Sequence, residues 1–212
     1  MSKIIETLPL FSEPFSIGRL DVDQKNILKY LKTISYKPRT PALRKSFDYN
    51  ILISDNFKLL DEIPSLKKEI ESALTEHIQK ILQYNIDFYI YASWSAKTLP
   101  QGYAARHHHA NGWLSAVYYP RGHKDFQIRF YPPRMANWHC DKIKEYNIYN
   151  SSSWTFTAED NMLIIFNNLI DHEILCNTSD QDRYSIACNL IPKGKLGKGE
   201  WDQHQTIIKD LI

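Results

Sequence analysis

Glycine and cysteine are scarce in this chain, charge of neither sign dominates, and no apolar run is long. Only 7 glycines occur in 212 residues, and neither a low-complexity tract nor an internal repeat is present. The three cysteines, Cys140, Cys176 and Cys188, are odd in number and show no CxxC or similar spacing. That argues against a disulfide framework or a cysteine-based zinc site. Reduced thiols in a cytoplasmic protein are the expectation. The formal net charge is +2, which gives no electrostatic case for nucleic acid as a partner. A short basic run at 193–198 reads as a solvated turn. The longest apolar stretch, Met162–Phe166, is far shorter than the about 20 residues that span a bilayer. The N-terminus lacks a basic-then-apolar signal pattern, so no membrane association is expected.

Aromatic residues, by contrast, are abundant: 13 Tyr, 9 Phe and 5 Trp. Their side chains pack well on a pleated surface, which favours β-sheet. The first part of the chain is different in texture. Asp21, with Gln24 three residues on, predicts a helix start, followed by Val22, Ile27, Leu28, Leu31 and Ile34 at helical spacing. The Pro-containing segment Lys37–Lys45 reads as loop. Pro64 predicts a second helix start, with Leu66, Ile70, Leu74, Ile78 and Ile81 as its buried stripe and His77 beside it as a structural residue.

From residue 85 the period changes to two. Ile86, Phe88 and Ile90 alternate with Asp87, Tyr89 and Tyr91. Trp113–Tyr119, Phe126–Phe130, Met162–Phe166 and Tyr184–Leu190 are further strand candidates. Turn chemistry at Pro100–Gly102, Pro120–Gly122, Pro132–Pro133 and Ser151–Ser153 is expected to separate them. Residues 135–153 read as a long insertion. Helices followed by many short strands predict a mainly β (α+β) chain, a sandwich or jelly roll with flanking N-terminal helices. One domain over 1–212 is expected: a helical support at 1–84, a β core at 85–192 and a tail at 193–212.

Three consecutive histidines, His107, His108 and His109, precede the Trp113–Tyr119 run. In an extended segment side chains alternate faces, so His107 and His109 share one side and His108 takes the other. Such a pair is a two-ligand clip for a first-row metal. His172 follows the Met162–Phe166 strand after a short turn. Eleven residues later, Arg183, Ser185, Ala187 and Asn189 share one face of a strand. An inward Arg is costly without an anion, and Arg grips a carboxylate through two parallel hydrogen bonds, to which Ser can add a third. A metal beside such a grip suits a dicarboxylic acid, one end on the metal and the other on the Arg.

This arrangement resembles the iron(II)/2-oxoglutarate-dependent oxygenases, and among them a small bacterial and phage branch of prolyl-hydroxylase-like proteins. The stretches that carry the likeness are Trp94, Gly102, 107–120 (HHHANGWLSAVYYP), 126–134 (FQIRFYPPR) and 161–190. They fall within residues 90–192, about half of the chain. The resemblance implies a double-stranded β-helix (jelly roll, cupin-like) core. It implies a dioxygenase or hydroxylase that binds Fe(II), 2-oxoglutarate and O2. It leaves the primary substrate unidentified, peptidyl or small-molecule.

Carried over residue by residue, the resemblance makes His172 the distal iron ligand. Arg183 with Ser185 would bind the far carboxylate of 2-oxoglutarate, and Tyr119 would reach the same group. The proximal ligands would come from 107–111. Most of the family shows H-x-D or H-x-E there, whereas this chain has no acidic residue at that spacing, and Pro132 stands where the branch often has Asp. His107 with His109 is favoured, because imidazole is the better iron ligand. His109 with Asn111, or a single His with water, are the alternatives. A metal-binding jelly roll without 2-oxoglutarate turnover is the other reading of the same residues.

Overall fold

Apolar–polar alternation and β-branched runs place most of this chain in one curled antiparallel sheet. The computed structural model describes residues 6–10, 12–39, 48–133, 142–196 and 206–208. In chain order the elements are β1 (Ser16–Arg19), α1 (Gln24–Leu31), β2 (Tyr36–Pro38), β3 (Asp48–Ser54), a 3-10 turn (Leu59–Glu62) and α2 (Pro64–Glu76). Helix α2 runs on into a π-turn (His77–Ile81). Then follow β4 (Asp87–His107), β5 (Leu114–Tyr119), β6 (Gln127–Phe130), β7 (Trp154–Thr157), β8 (Met162–Asn167), β9 (His172–Ile174), β10 (Arg183–Leu196) and β11 (Thr206–Ile208).

The main strand order is β1-β8-β5-β10-β4-β9-β6-β7, with β3 and then β2 branching from β4 and β11 from β10. This is the expected mainly β jelly roll, a double-stranded β-helix. Strand β4 is its hub. Residues 87–98 pair with β10, part of the strand pairs with β3, and its last residues pair with β9. The redirection occurs at Pro100–Gly102, which the sequence marks as a turn between strands. The turn chemistry is used inside the strand instead, as a bulge. Gln101 takes a φ of 62°. Gly102 packs so tightly that a Cβ would lie 2.6 Å from the Asn50 carbonyl oxygen.

Strand period divides the sheet into two faces. Leu114, Ala116, Tyr118, Leu163, Ile165, Ile186, Cys188 and Leu190 point one way and form a core with Ile27 and Leu31 of α1 and Leu66, Ile70 and Leu74 of α2. Val117, Tyr119, Ile164, Phe166 and Ala187 point the other way, into the barrel, with Phe126, Ile128 and Phe130. The helices thus back the sheet and leave its inner face for a cavity.

Several expectations shift in detail. The α1 cap is Asp23 rather than Asp21, its side chain accepting from the Asn26 N–H at 3.1 Å. Pro64 opens α2 as expected, but Ile81 is exposed, because the π-turn rotates it off the stripe. The 1–84 segment is not helical support alone. It also supplies β1, β2 and β3, and β2 falls within the stretch read as loop. Residues 193–196 of the basic run continue β10 rather than forming a turn. Arg134, Cys140, His139 and His204 lie outside the described residues.

His77 is buried at the end of α2, its Nδ1 2.8 Å from Ser16 Oγ of β1. Its Nε2 has no partner among the described residues. Burial lowers its pKa below 6.5. A group whose folded pKa is depressed below its unfolded value must be neutral in the folded state, so its contribution is full above pH 6.5 and is lost as pH falls below that. The apoprotein is therefore expected to lose unfolding free energy below that pH. In His77→Phe that slope should be shallower, read from denaturant midpoints across pH.

Candidate functional site

Three imidazoles meet at one end of the barrel cavity. His107 closes β4 and is the direct cross-strand partner of His172, the first residue of β9. His109 follows two residues on, its backbone N–H held by the Asn168 carbonyl at 2.9 Å. Ring centroids are 4.4 Å apart for His107–His172, 5.1 Å for His109–His172 and 5.6 Å for His107–His109. One ligand nitrogen from each ring lies within 4.8 Å of the other two. His108 points the other way, toward Asp171 at 2.9 Å, as strand alternation requires. Asn111 is exposed at the cavity rim.

Each ring is oriented by a bond at Nδ1. His107 Nδ1 is 2.7 Å from the Ala105 carbonyl oxygen, and His172 Nδ1 is 3.0 Å from that of Ile170. A carbonyl only accepts, so both Nδ1 atoms carry the proton and leave Nε2 with a free lone pair. His109 Nδ1 donates to Asn189 Oδ1 at 2.9 Å, with Ser115 Oγ at 3.0 Å. Ser115 in turn lies 2.7 Å from Asn168 Oδ1. Ser115, Asn168 and Asn189 are all buried.

Burial, the largest influence on all three rings, lowers their pKa values: His107 to about 4, His172 well below 6.5, and His109 in the same direction. All three are neutral at pH 7, the form that ligates a metal.

Behind Tyr119, which lines the cavity, lies a buried cation. Arg183 is 1% exposed. Its Nη1 donates to the Gln127 carbonyl at 2.8 Å and its Nη2 to Tyr119 Oη at 3.1 Å. The guanidinium carbon lies 5.2 Å from the Tyr119 ring centroid. Its Nε has no partner among the described residues. Burial raises the Tyr119 pKa, with Arg183 opposing, so Tyr119 keeps its proton. A buried guanidinium whose described partners are all uncharged is short of an anion.

The cavity has a volume of about 400 Å³. Ser185, Ala187 and Asn189 of β10, on the face they share with Arg183, line it, as do Tyr119 and Ile128. Ile51, Ile53 and Ala96 form an apolar wall from β3 and β4. Trp94, expected in the core, lines the cavity beside His109 at 5.8 Å between ring centroids. Arg129 lies on β6 between the buried Ile128 and Phe130, partly exposed, and pairs with Glu173 at 3.3 Å.

The donor set fits iron(II) and a dicarboxylate, with neutral imidazoles holding free lone pairs in the cavity and, behind Tyr119, a cation with only uncharged hydrogen-bond partners among the described residues. Sequence reasoning did not single out the Ser115–Asn168–Asn189 bracket or the wall from β3 and β4. Asn189 was on the right strand face, which was the only signal for it. The β3 part of that wall had none, because no element is read in residues 48–54.

Residues 92–189 match the family described as "Putative 2OG-Fe(II) oxygenase". No curated protein matches the sequence. The fold is similar to that of a Pseudomonas putida prolyl-4-hydroxylase (16% identity, 87% of this chain and 96% of that one, TM-score 0.55). It is also similar to a prolyl hydroxylase from Trichoplax adhaerens, solved with a hypoxia inducible factor oxygen degradation domain peptide (14% identity, 84% and 83%, TM-score 0.59). HygX of Streptomyces hygroscopicus, solved with nickel and 2-oxoglutarate bound, is a third (8% identity, 84% and 82%, TM-score 0.56).

Proposed function

We propose that this chain, whose residues 92–189 match the 2OG-Fe(II) oxygenase family, is an iron(II)/2-oxoglutarate-dependent oxygenase in which His107, His109 and His172 hold the iron and Arg183, Tyr119 and Ser185 hold the remote carboxylate of 2-oxoglutarate. The observation that carries this assignment is one cavity lined by His107, His109 and His172 and also by Ser185 and by Tyr119, whose Oη accepts from the buried Arg183, a guanidinium with only uncharged hydrogen-bond partners among the described residues.

When bound, iron(II) and 2-oxoglutarate supply the coupling of O2 reduction to decarboxylation of the keto acid and oxidation of a substrate C–H bond. The chain's own residues select and orient. The carbonyls of Ala105 and Ile170 fix the tautomers of His107 and His172, and Asn189 fixes that of His109. This outer bracket replaces the orientation that a carboxylate ligand's own bonds would give. Tyr119 Oη and the Gln127 carbonyl hold the Arg183 guanidinium in place, so little ordering remains to be done when a carboxylate arrives. Ser185 offers a hydroxyl on the same face. Ile51, Ile53, Ile128 and Ile174 keep the wall apolar and exclude water from the reacting region.

The protein with iron(II) and 2-oxoglutarate is expected to form succinate slowly even without a primary substrate, and a chelator such as EDTA should stop it. Chromatography of the organic acids reads this. Iron binding with no succinate under any condition would leave a metal-binding jelly roll in place of an oxygenase.

A further inference from the structure

The cavity opens at a rim whose exposed lining residues are Lys37 and Pro38 of β2, Phe57, Ala110 and Asn111, with Arg39 half-buried just inside. Among the described residues no Asp or Glu lines the cavity, and the lysine and arginine that do are Lys37 and Arg39. Their acidic partners lie outside the lining and at loose distances, Asp55 at 3.4 Å from Lys37 and Asp48 at 3.5 Å from Arg39, against about 2.8 Å for a close charge-assisted bond. Aromatic rings link this rim to the histidines. The Lys37 ammonium is 5.9 Å from the Phe57 ring centroid, Phe57 is 6.3 Å from Trp94, and Trp94 is 5.8 Å from His109.

The charge balance of the site has room for one more anion. His109 stands where most of the family has a carboxylate, so an iron(II) held there has no anionic protein ligand. The two carboxylates of 2-oxoglutarate are matched by the metal and by Arg183. Arg39 lines the same cavity as His107, His109 and His172, with Asp48 3.5 Å away to offset its charge. With Arg39 offset by Asp48 and Lys37 by Asp55, iron(II) and Arg183 against doubly charged 2-oxoglutarate still leave one positive charge for a further anion to balance.

Resting on the iron and 2-oxoglutarate assignment above, we propose that the primary substrate is an organic anion, with an apolar or aromatic body on the Phe57–Trp94 shelf and a carboxylate held by Arg39 and Lys37. Charge complementarity decides which substrates reach the site, and the shelf brings the body of the molecule beside the histidines.

The test uses the iron(II)/2-oxoglutarate protein under anaerobic conditions and two probes of matched shape, 3-phenylpropionate and 3-phenylpropanamide, titrated by calorimetry. The visible band of iron-bound 2-oxoglutarate is followed alongside. The acid is expected to bind about tenfold or more tighter than the amide with the band retained. Arg39→Gln should bring the two affinities together by weakening the acid and leaving the amide unchanged, and Lys37→Gln should do so in part. The acetylated, amidated dipeptide of phenylalanine and aspartate carries the same two groups on a peptide. Its binding with loss of preference in Arg39→Gln, where the free acid fails, supports the same anion site with a peptide side chain as its source. Equal affinities for acid and amide with no binding of the dipeptide, a preference that survives Arg39→Gln, or loss of the band as the acid binds would each overturn the proposal. The last would show the acid displacing 2-oxoglutarate. A protein that never forms the band fails at the earlier assignment instead.

Discussion

Arg183→Ala is expected to weaken 2-oxoglutarate binding by roughly 30-fold or more while leaving iron(II) affinity within a few-fold of wild type. The expectation follows from position and charge. Arg183 is buried, with an unpartnered Nε and only uncharged partners. Truncating one partner of a buried hydrogen-bonded charge pair costs about 2–5 kcal/mol, and each ~1.4 kcal/mol is tenfold in affinity. None of the three imidazoles is a hydrogen-bond partner of Arg183, so the metal site should be little changed. Arg183→Lys should fall between, since an ammonium keeps the charge but not the planar fork. Equilibrium dialysis for iron and calorimetry for 2-oxoglutarate separate the two effects. Denaturant midpoints check that the loss of bonds to Gln127 and Tyr119 has not unfolded the barrel.

The second large effect concerns the histidines and what holds them. His172→Ala removes the deepest of the three rings, 4% exposed, between His107 and Phe166. It should abolish measurable iron binding and succinate formation together. Asn189→Ala leaves every ring in place but removes the acceptor for His109 Nδ1. Loss of such an outer partner typically lowers metal affinity about 10–100-fold. Ser115 Oγ at 3.0 Å can take part of that role, so the lower end of the range is expected. Asn189→Asp keeps an acceptor there and should restore affinity. Unchanged iron affinity in Asn189→Ala would remove Asn189 from the account without touching the histidines.

How far the sequence foretells this site depends on the residue. His107 and His109 share a side because extended backbone alternates, and that needs no tertiary knowledge. The common face of Arg183, Ser185, Ala187 and Asn189 follows from the same rule. Their convergence with His172 came from family resemblance, since nothing local brings β9 against the end of β4. The bracket around His109 was illegible, because Ser115, Asn168 and Asn189 are neutral residues whose role exists only once three strands are adjacent. The Pro100–Gly102 bulge misled for a physical reason: turn residues mark a change of direction, whether between strands or within one. Short strands such as β2 and β9 carry too few residues to show a period.

Anaerobic titration of iron(II) into the protein with and without 2-oxoglutarate tests the central assignment most directly. A weak visible charge-transfer band should develop only when both are present. It should saturate at one iron per chain and be lost in His172→Ala. A protein that shows no band with both added, or an undiminished one in His172→Ala, would contradict the placement of the cofactor on these three histidines.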